Sequence, residues 1–163
     1  MLLTTLCPIP LWCFQNNLKT MLFTQIDFGS PEYDEALALR YKLLREPLNL
    51  EYDPSQIELE WMETHFGILD TDLGLIANLT FQKLNETTLK MRQVVVSNKM
   101  QNKGLGLALV DFAECWAKHN GFQEIKLHAR SEALDFYKKI NYRVVGVPFT
   151  EVNILHYEMK KQF

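Results

Sequence analysis

The chain has 163 residues, of which 47% are hydrophobic and 23% charged, enough to bury one sizeable core and unlike a fibrous or disordered protein. Its formal net charge of −3 provides no global cationic field, which excludes nucleic-acid binding driven by bulk electrostatics. Cys7, Cys13 and Cys115 form no Cys-x-x-Cys pair and accompany no histidine cluster, so neither a zinc site nor a disulfide framework is expected, and a reduced, cytoplasmic setting is.

Residues 1–18 are apolar, carry no positive charge and are broken by Pro8 and Pro10. A signal peptide needs a basic start and a membrane span needs about 20 unbroken apolar residues. Residues 1–20 are therefore expected to be an N-terminal extension without stable order, with one domain over 21–163. A start codon assigned too far upstream would leave the same pattern.

Residues 21–28 alternate as a strand. Ser30-Pro31-Glu32 then reads as N-cap, N1 proline and early acid. Tyr33, Leu37, Tyr41 and Leu44 recur at helical spacing until Pro47. Residues 49–62 are acidic and mixed, a loop with room for a short helix. Residues 66–69 and 73–83 predict two strands about an Asp70-Thr71-Asp72 turn, and 88–96 a third after Asn85-Glu86-Thr87, an antiparallel meander. A strong amphipathic helix follows over 104–120, with Leu105, Ala108, Leu109, Phe112 and Trp116 on one face and Gly121 placed to cap it. After a strand at 124–129, Ser131 is expected to N-cap a short helix carrying Ala133, Phe136, Tyr137 and Ile140, and strands at 142–147 and 152–160 close the chain. The order β-α-β-β-β-α-β-α-β-β predicts a three-layer α/β domain with a mixed sheet.

The most informative segment runs from Val94-Val95-Val96 through a polar loop into Gly104-Leu105-Gly106. Such a joint can aim successive backbone N–H groups at one point, and the helix start adds about half a positive charge. Lys99 and Lys103 stand at the rim. An anion site of diphosphate size and a plain structural joint both fit the isolated loop. A Rossmann site does not, because its third glycine is Leu109 here, and a P-loop does not, because no Gly-Lys-Ser/Thr ends the loop.

Together these residues resemble the GNAT acyltransferase superfamily. Gln101-Asn102-Lys103-Gly104-Leu105-Gly106 is similar to the family's Gln/Arg-x-x-Gly-x-Gly/Ala motif behind a valine-rich strand. Ala133-Leu134-Asp135-Phe136-Tyr137, followed by Asn141-Tyr142, resembles its downstream Ala-x-x-Phe-Tyr element. The segments 39–48 and 149–159 are similar to a poorly characterised subgroup. Arg130 stands where many relatives have asparagine, and Asn141 where glycine is usual; asparagine tolerates the left-handed backbone a glycine would adopt there.

The resemblance implies a mixed, mostly antiparallel sheet of about seven strands with a central splay and helices on both faces. It also implies acetyl-CoA as cosubstrate, no metal, and direct acetyl transfer to an amine in a ternary complex. The cofactor would lie on Val94, Val95 and Val96, with a backbone N–H near Val95 polarising the thioester, and on Gln101, Asn102, Lys103, Gly104, Leu105, Gly106 and Tyr137. Tyr137 would serve as general acid. His156 and Glu151 are the base candidates; His128 lies on the strand after the main helix, near the expected cleft, and His65, Asp53 and Glu58 lie in the segment that usually lines the acceptor side. Arg92 could orient an acceptor carboxylate or form a surface ion pair, and Lys138 could meet the 3′-phosphate of CoA. Cys115 reads as a small buried residue. The partner would be a small-molecule or peptide amine, with no nucleic acid and no membrane, and a homodimer is common among relatives. The alternatives are a non-catalytic acyl-CoA-sensing module of the same fold and a nucleotide-binding domain using the same loop.

Overall fold

The computed structural model describes residues 21–163; the expected extension, residues 1–20, lies outside the described residues. Seven strands, β1 (Met21–Ile26), β2 (Thr64–Asp70), β3 (Gly74–Lys83), β4 (Thr88–Val96), β5 (Glu124–Arg130), β6 (Arg143–Glu151) and β7 (Ile154–Gln162), form one sheet. Their order is β1-β2-β3-β4-β5-β7-β6, and only β4 and β5 run parallel. Among the described residues four α-helices accompany them: α1 (Pro31–Arg40), α2 (Pro54–Glu58), α3 (Leu105–His119) and α4 (Leu134–Lys139). The mixed, mostly antiparallel sheet matches the expectation, and α2 is the short helix for which residues 49–62 left room.

Local chemistry sets the boundaries. The Ser30 hydroxyl accepts from the Tyr33 N–H at 3.1 Å and Pro31 opens α1, a capped start. The buried face of α1 is Tyr33, Ala36 and Arg40, turned from the Tyr33/Leu37/Tyr41 stripe read in the sequence. The helix then loosens into a wide π-helical turn (Tyr41–Arg45) and a 3-10 turn (Glu46–Leu48), ending at Asn49 with φ 53°. Gly104 (φ 79°) and Gly121 (φ 83°) bracket α3 in left-handed conformations; Gly121 takes the capping place expected of it, while Gly104, read as the first helical residue, precedes the helix. Asn141 takes φ 71°, the role expected of it in place of glycine. Ser131 does not cap α4: it belongs to a 3-10 turn, Ser131–Ala133, and the residue before α4 is Ala133, with no side-chain cap.

Leu75 and Ile76 show how the layers divide, since neighbours on a strand point to opposite faces. Leu75 joins Ile26, Tyr33 and Ala36 beneath α1, while Ile76 joins the larger core with Phe66, Leu105, Leu109, Ile125 and Leu127 beneath α3. Phe112 and Trp116 stand edge-on to Phe66 at 5.9 and 5.4 Å. Cys115, expected to be a small buried residue in a reduced setting, is only partly buried and is disulfide-bonded, which corrects both expectations.

The register shifts in three places, between Ile68 and Leu69 of β2 against β3 and twice near the cleft. In β4 the register shifts between the pairs Asn78↔Val95 and Thr80↔Arg92, and Gln93 takes φ 54°; one extra residue makes a β-bulge. In β6 the register shifts between Val145 and Phe149 around Gly146 at φ 70°, which re-aims Phe149 and Glu151.

Candidate active site

The parallel pairing of β4 with β5 covers only Thr88↔Glu124 to Met91↔Leu127. Beyond it the strands part, and a cleft of about 900 Å³ opens between Arg92–Val96 on one side and His128–Arg130 on the other. Every polar backbone group needs a partner, so the freed edge of β4 is a row of unused donors and acceptors. Their direction follows from alternation. Ser97 N–H donates to the Ile76 carbonyl of β3 at 2.8 Å, whereas the Val96 carbonyl faces away and accepts from Gln101 Nε2 at 3.1 Å. Strand geometry then turns the backbone of Val95 toward β3 and that of Val94 and Val96 toward the cleft. The cleft-facing donors near Val95 are therefore those of its neighbours, Val94 and Val96.

The loop into α3 completes the far end of the cleft. Gln101 Nε2 also donates to Asn98 Oδ1 at 3.0 Å, so one side chain ties the loop both to itself and to the end of β4. Asn102 (φ 60°) and Gly104 (φ 79°) are both left-handed, a geometry that turns successive N–H groups inward as an anion nest. The first turn of α3 adds N–H groups with no intrahelical acceptor. A Cβ on Gly106 would lie 3.7 Å from the Phe136 and Val96 side chains, ordinary contact, so packing does not demand the bare backbone there. Donors, opening and size fit a diphosphate with an extended arm. Gln101, Asn102, Gly104, Leu105 and Gly106 line the cleft. Lys103 stands outside its wall, with Nζ 3.5 Å from Met100 Sδ.

Tyr137 sits on α4 in the cleft wall, 8% exposed, packed edge-on against Phe136 at 5.0 Å and Tyr142 at 5.7 Å. Burial pushes its phenol well above the usual value, so it remains protonated and able to donate. Across the cleft, β5, β6 and β7 bring His128, Glu151 and His156 together. His128 Nδ1 meets Glu151 Oε2 at 3.0 Å, and the Phe149 ring lies between the imidazoles at 4.8 and 6.0 Å. Burial acts to raise the Glu151 carboxyl, but the His128 hydrogen bond and the charges of both histidines hold it below the ordinary range. His156 is 7% exposed, and its Nδ1 donates to the Ile154 carbonyl at 2.9 Å. A carbonyl only accepts, so Nδ1 carries a proton and Nε2 is the ring nitrogen placed to exchange one.

A second polar network, centred on residues that carry no motif in the sequence, closes the α1 side. Arg40 is 1% exposed and still reaches the cleft wall. Its Nη2 donates to Glu60 Oε2 at 2.8 Å, and its Nη1 donates to Glu60 Oε1 at 3.2 Å, Thr80 Oγ1 at 3.5 Å and Gln93 Oε1. Tyr33 Oη donates to Glu60 Oε2 at 2.8 Å. His65 Nε2 donates to the Glu60 carbonyl at 3.0 Å, which leaves Nδ1 to accept from Thr80 at 3.1 Å; the ring is held neutral, and burial lowers its pKa. His65 is thus structural, outside the cleft wall. Asp53 caps α2 through the Ser55 N–H at 2.9 Å. Arg92 lines the cleft but pairs with Glu63 at 2.6 Å, the ion-pair reading. The signal for Arg40 was its seven-residue spacing from Tyr33, which puts both on one helix face.

A family model described as acetyltransferase (GNAT) domain matches residues 58–163. The chain belongs to the GNAT family. A candidate acetyltransferase of Bacillus subtilis (strain 168) is 33% identical to the GNAT chain over 73 residues, 45% of this chain and 50% of that protein. The chain spans about half the length of the curated relatives it matches. Among solved structures, a candidate N-acetyltransferase from Lactobacillus plantarum overlays with a TM-score of 0.77 at 22% identity, covering 88% of this chain and 98% of that one. A GNAT family acetyltransferase from Elizabethkingia anophelis with acetyl-CoA bound overlays at 0.67 and 15% identity, covering 89% and 99%. At these identities the overlays establish the GNAT fold. Among the described residues of this GNAT domain, no helix is long and apolar enough to cross a membrane, and no group of three or more side chains stands ready to hold a metal.

Proposed function

We propose that this GNAT domain transfers an acetyl group from acetyl-CoA to an amine by direct attack within a ternary complex. The carrying observation is the juxtaposition of the freed β4 edge with the left-handed loop at the start of α3. The Elizabethkingia structure, solved with acetyl-CoA on the same fold, supports the reading.

The loop from Gln101 to Gly106 would hold the diphosphate through backbone N–H groups, and Val94 and Val96 would pair with the amides of the pantetheine arm. Acetyl-CoA supplies a thioester carbonyl and a thiolate leaving group. A cleft-facing N–H of β4 meets the developing negative charge on that carbonyl oxygen, the type of contact that stabilises acyl-transfer transition states. An alkylamine has a reference pKa of about 10.4 and must lose a proton to attack. His156 Nε2 takes that proton in this reading, with the Glu151 carboxylate nearby to stabilise the resulting positive charge. Tyr137, kept protonated by burial, donates toward the departing sulfur.

The test is thiol release from acetyl-CoA against a library of amines, with calorimetric titration of CoA on the same protein. Saturable uptake and amine-dependent thiol release are expected; no uptake overturns the proposal. Gly104→Val checks the loop. A β-branched residue at φ 79° is strained, so the loop should shift, and CoA affinity should fall about tenfold or more, read by calorimetry beside an unchanged circular-dichroism spectrum.

A further inference from the structure

We propose that Arg40 and Glu60 are positioning residues that act through Gln93: they hold the bulge of β4, and with it the direction of the backbone edge that takes the acyl donor. The proposal rests on acetyl-CoA binding at the freed β4 edge and goes beyond it by naming what keeps that edge in place.

Gln93 occupies φ 54° inside a strand. Glycine, asparagine and aspartate visit that region routinely, glutamine does not, and such a residue persists only where its surroundings over-determine it. Here the surroundings are specific. The Gln93 amide oxygen accepts from Arg40 Nη1, and its nitrogen lies 3.4 Å from Glu60 Oε1. Arg40 comes from a different element, 53 residues away, and is anchored in turn by the two-pronged Glu60 contact and Thr80. The bulge also stands where the pairing of β4 with β5 stops, one residue past Arg92 and two past Met91.

The consequence is directional. Backbone direction alternates along a strand, so a bulge absorbed back into regular pairing moves the register by one and exchanges the two faces. Val94 and Val96 would turn toward β3, and Val95 would turn to the cleft. Cutting the tether while keeping a side chain that prefers ordinary strand angles therefore removes the acyl-donor edge. Glycine cuts the same tether without that preference.

The experiment is calorimetric titration with acetyl-CoA of the unaltered protein, Gln93→Ala and Gln93→Gly, with melting temperatures for all three. Gln93→Ala should weaken acetyl-CoA about tenfold or more, and Gln93→Gly should stay within about threefold of the unaltered protein. Melting temperatures within a few degrees would show that the loss is local; should Gln93→Ala fail to fold, Gln93→Ser serves in its place. Equal weakening in both variants would make Gln93 a direct ligand contact and overturn the proposal. Unchanged affinity in both would remove the clamp alone, leaving the acyl-donor reading intact. No uptake by the unaltered protein would remove both.

Discussion

Tyr137→Phe should lower kcat for amine acetylation by about 10²-fold or more, with the acetyl-CoA dissociation constant changed less than about threefold. The reasoning starts from burial. The Tyr137 side chain packs between Phe136 and Tyr142 at the cleft wall, and a phenylalanine of nearly the same volume keeps those contacts. What disappears is one proton, on a phenol that burial keeps in its neutral form. A donor that matters only while negative charge collects on sulfur affects the transition state and not the bound ground state, so kcat falls while affinity holds. Steady-state kinetics with calorimetry separates the two. Equal losses in kcat and affinity would make Tyr137 a packing residue, and unchanged turnover would remove it from the chemistry.

Glu60→Leu should cost about 3–5 kcal/mol of stability, because it strands a buried guanidinium rather than removing a pair. For a domain of this size the melting temperature should fall by about 10 °C or more. Arg40 is 1% exposed and Glu60 4%, so water cannot replace the lost carboxylate. Replacing Arg40 by Met in the same protein should recover part of the loss, since the uncompensated charge then disappears as well. The network also predicts acid sensitivity. Burial acts to raise the Glu60 carboxyl, but the Arg40 hydrogen bonds and charge and the Tyr33 hydroxyl hold it below its ordinary value. Its contribution is full above the unfolded carboxylate pKa and is lost as pH falls through the lower folded value. Burial lowers the pKa of His65, so the unfolded chain binds that proton first and stability declines as pH falls through about 6.5. Melting temperatures between neutral pH and pH 4 should fall for the unaltered protein. A flat profile would contradict the burial of both groups.

Much of the loop side of the cleft was legible in the chain. Gly104 and Gly121 bracket α3 because a left-handed residue at each end is a local need that glycine meets locally. Asn141 could be read the same way. The meander of β2, β3 and β4 followed from two polar turns and period-two alternation, and Tyr137 followed from the short motif after β5. Misreadings arose where a local signal met a competing one. Ser131 has the right chemistry for an N-cap, but the chain makes a 3-10 turn first and α4 starts three residues later. On α1, Leu37 and Tyr41 looked like the core stripe, yet Ala36 and Arg40 take the interior because Arg40 finds Glu60 there.

What residue order determined was therefore the set of elements, their sequence along the chain, and the glycine-bearing loop into α3, since helical periodicity, glycine and proline act over a few neighbours. What the tertiary structure decided was everything that depends on distant partners. Arg40, Glu60 and Gln93 meet across 53 residues of chain, and the Gln93 bulge has no glycine or asparagine to announce it. His128, Glu151 and His156 come together only because β5, β7 and β6 lie side by side and β6 is itself bulged. Which backbone groups of Val94–Val96 face the cleft is decided by register, and register is a property of the paired strands rather than of either one.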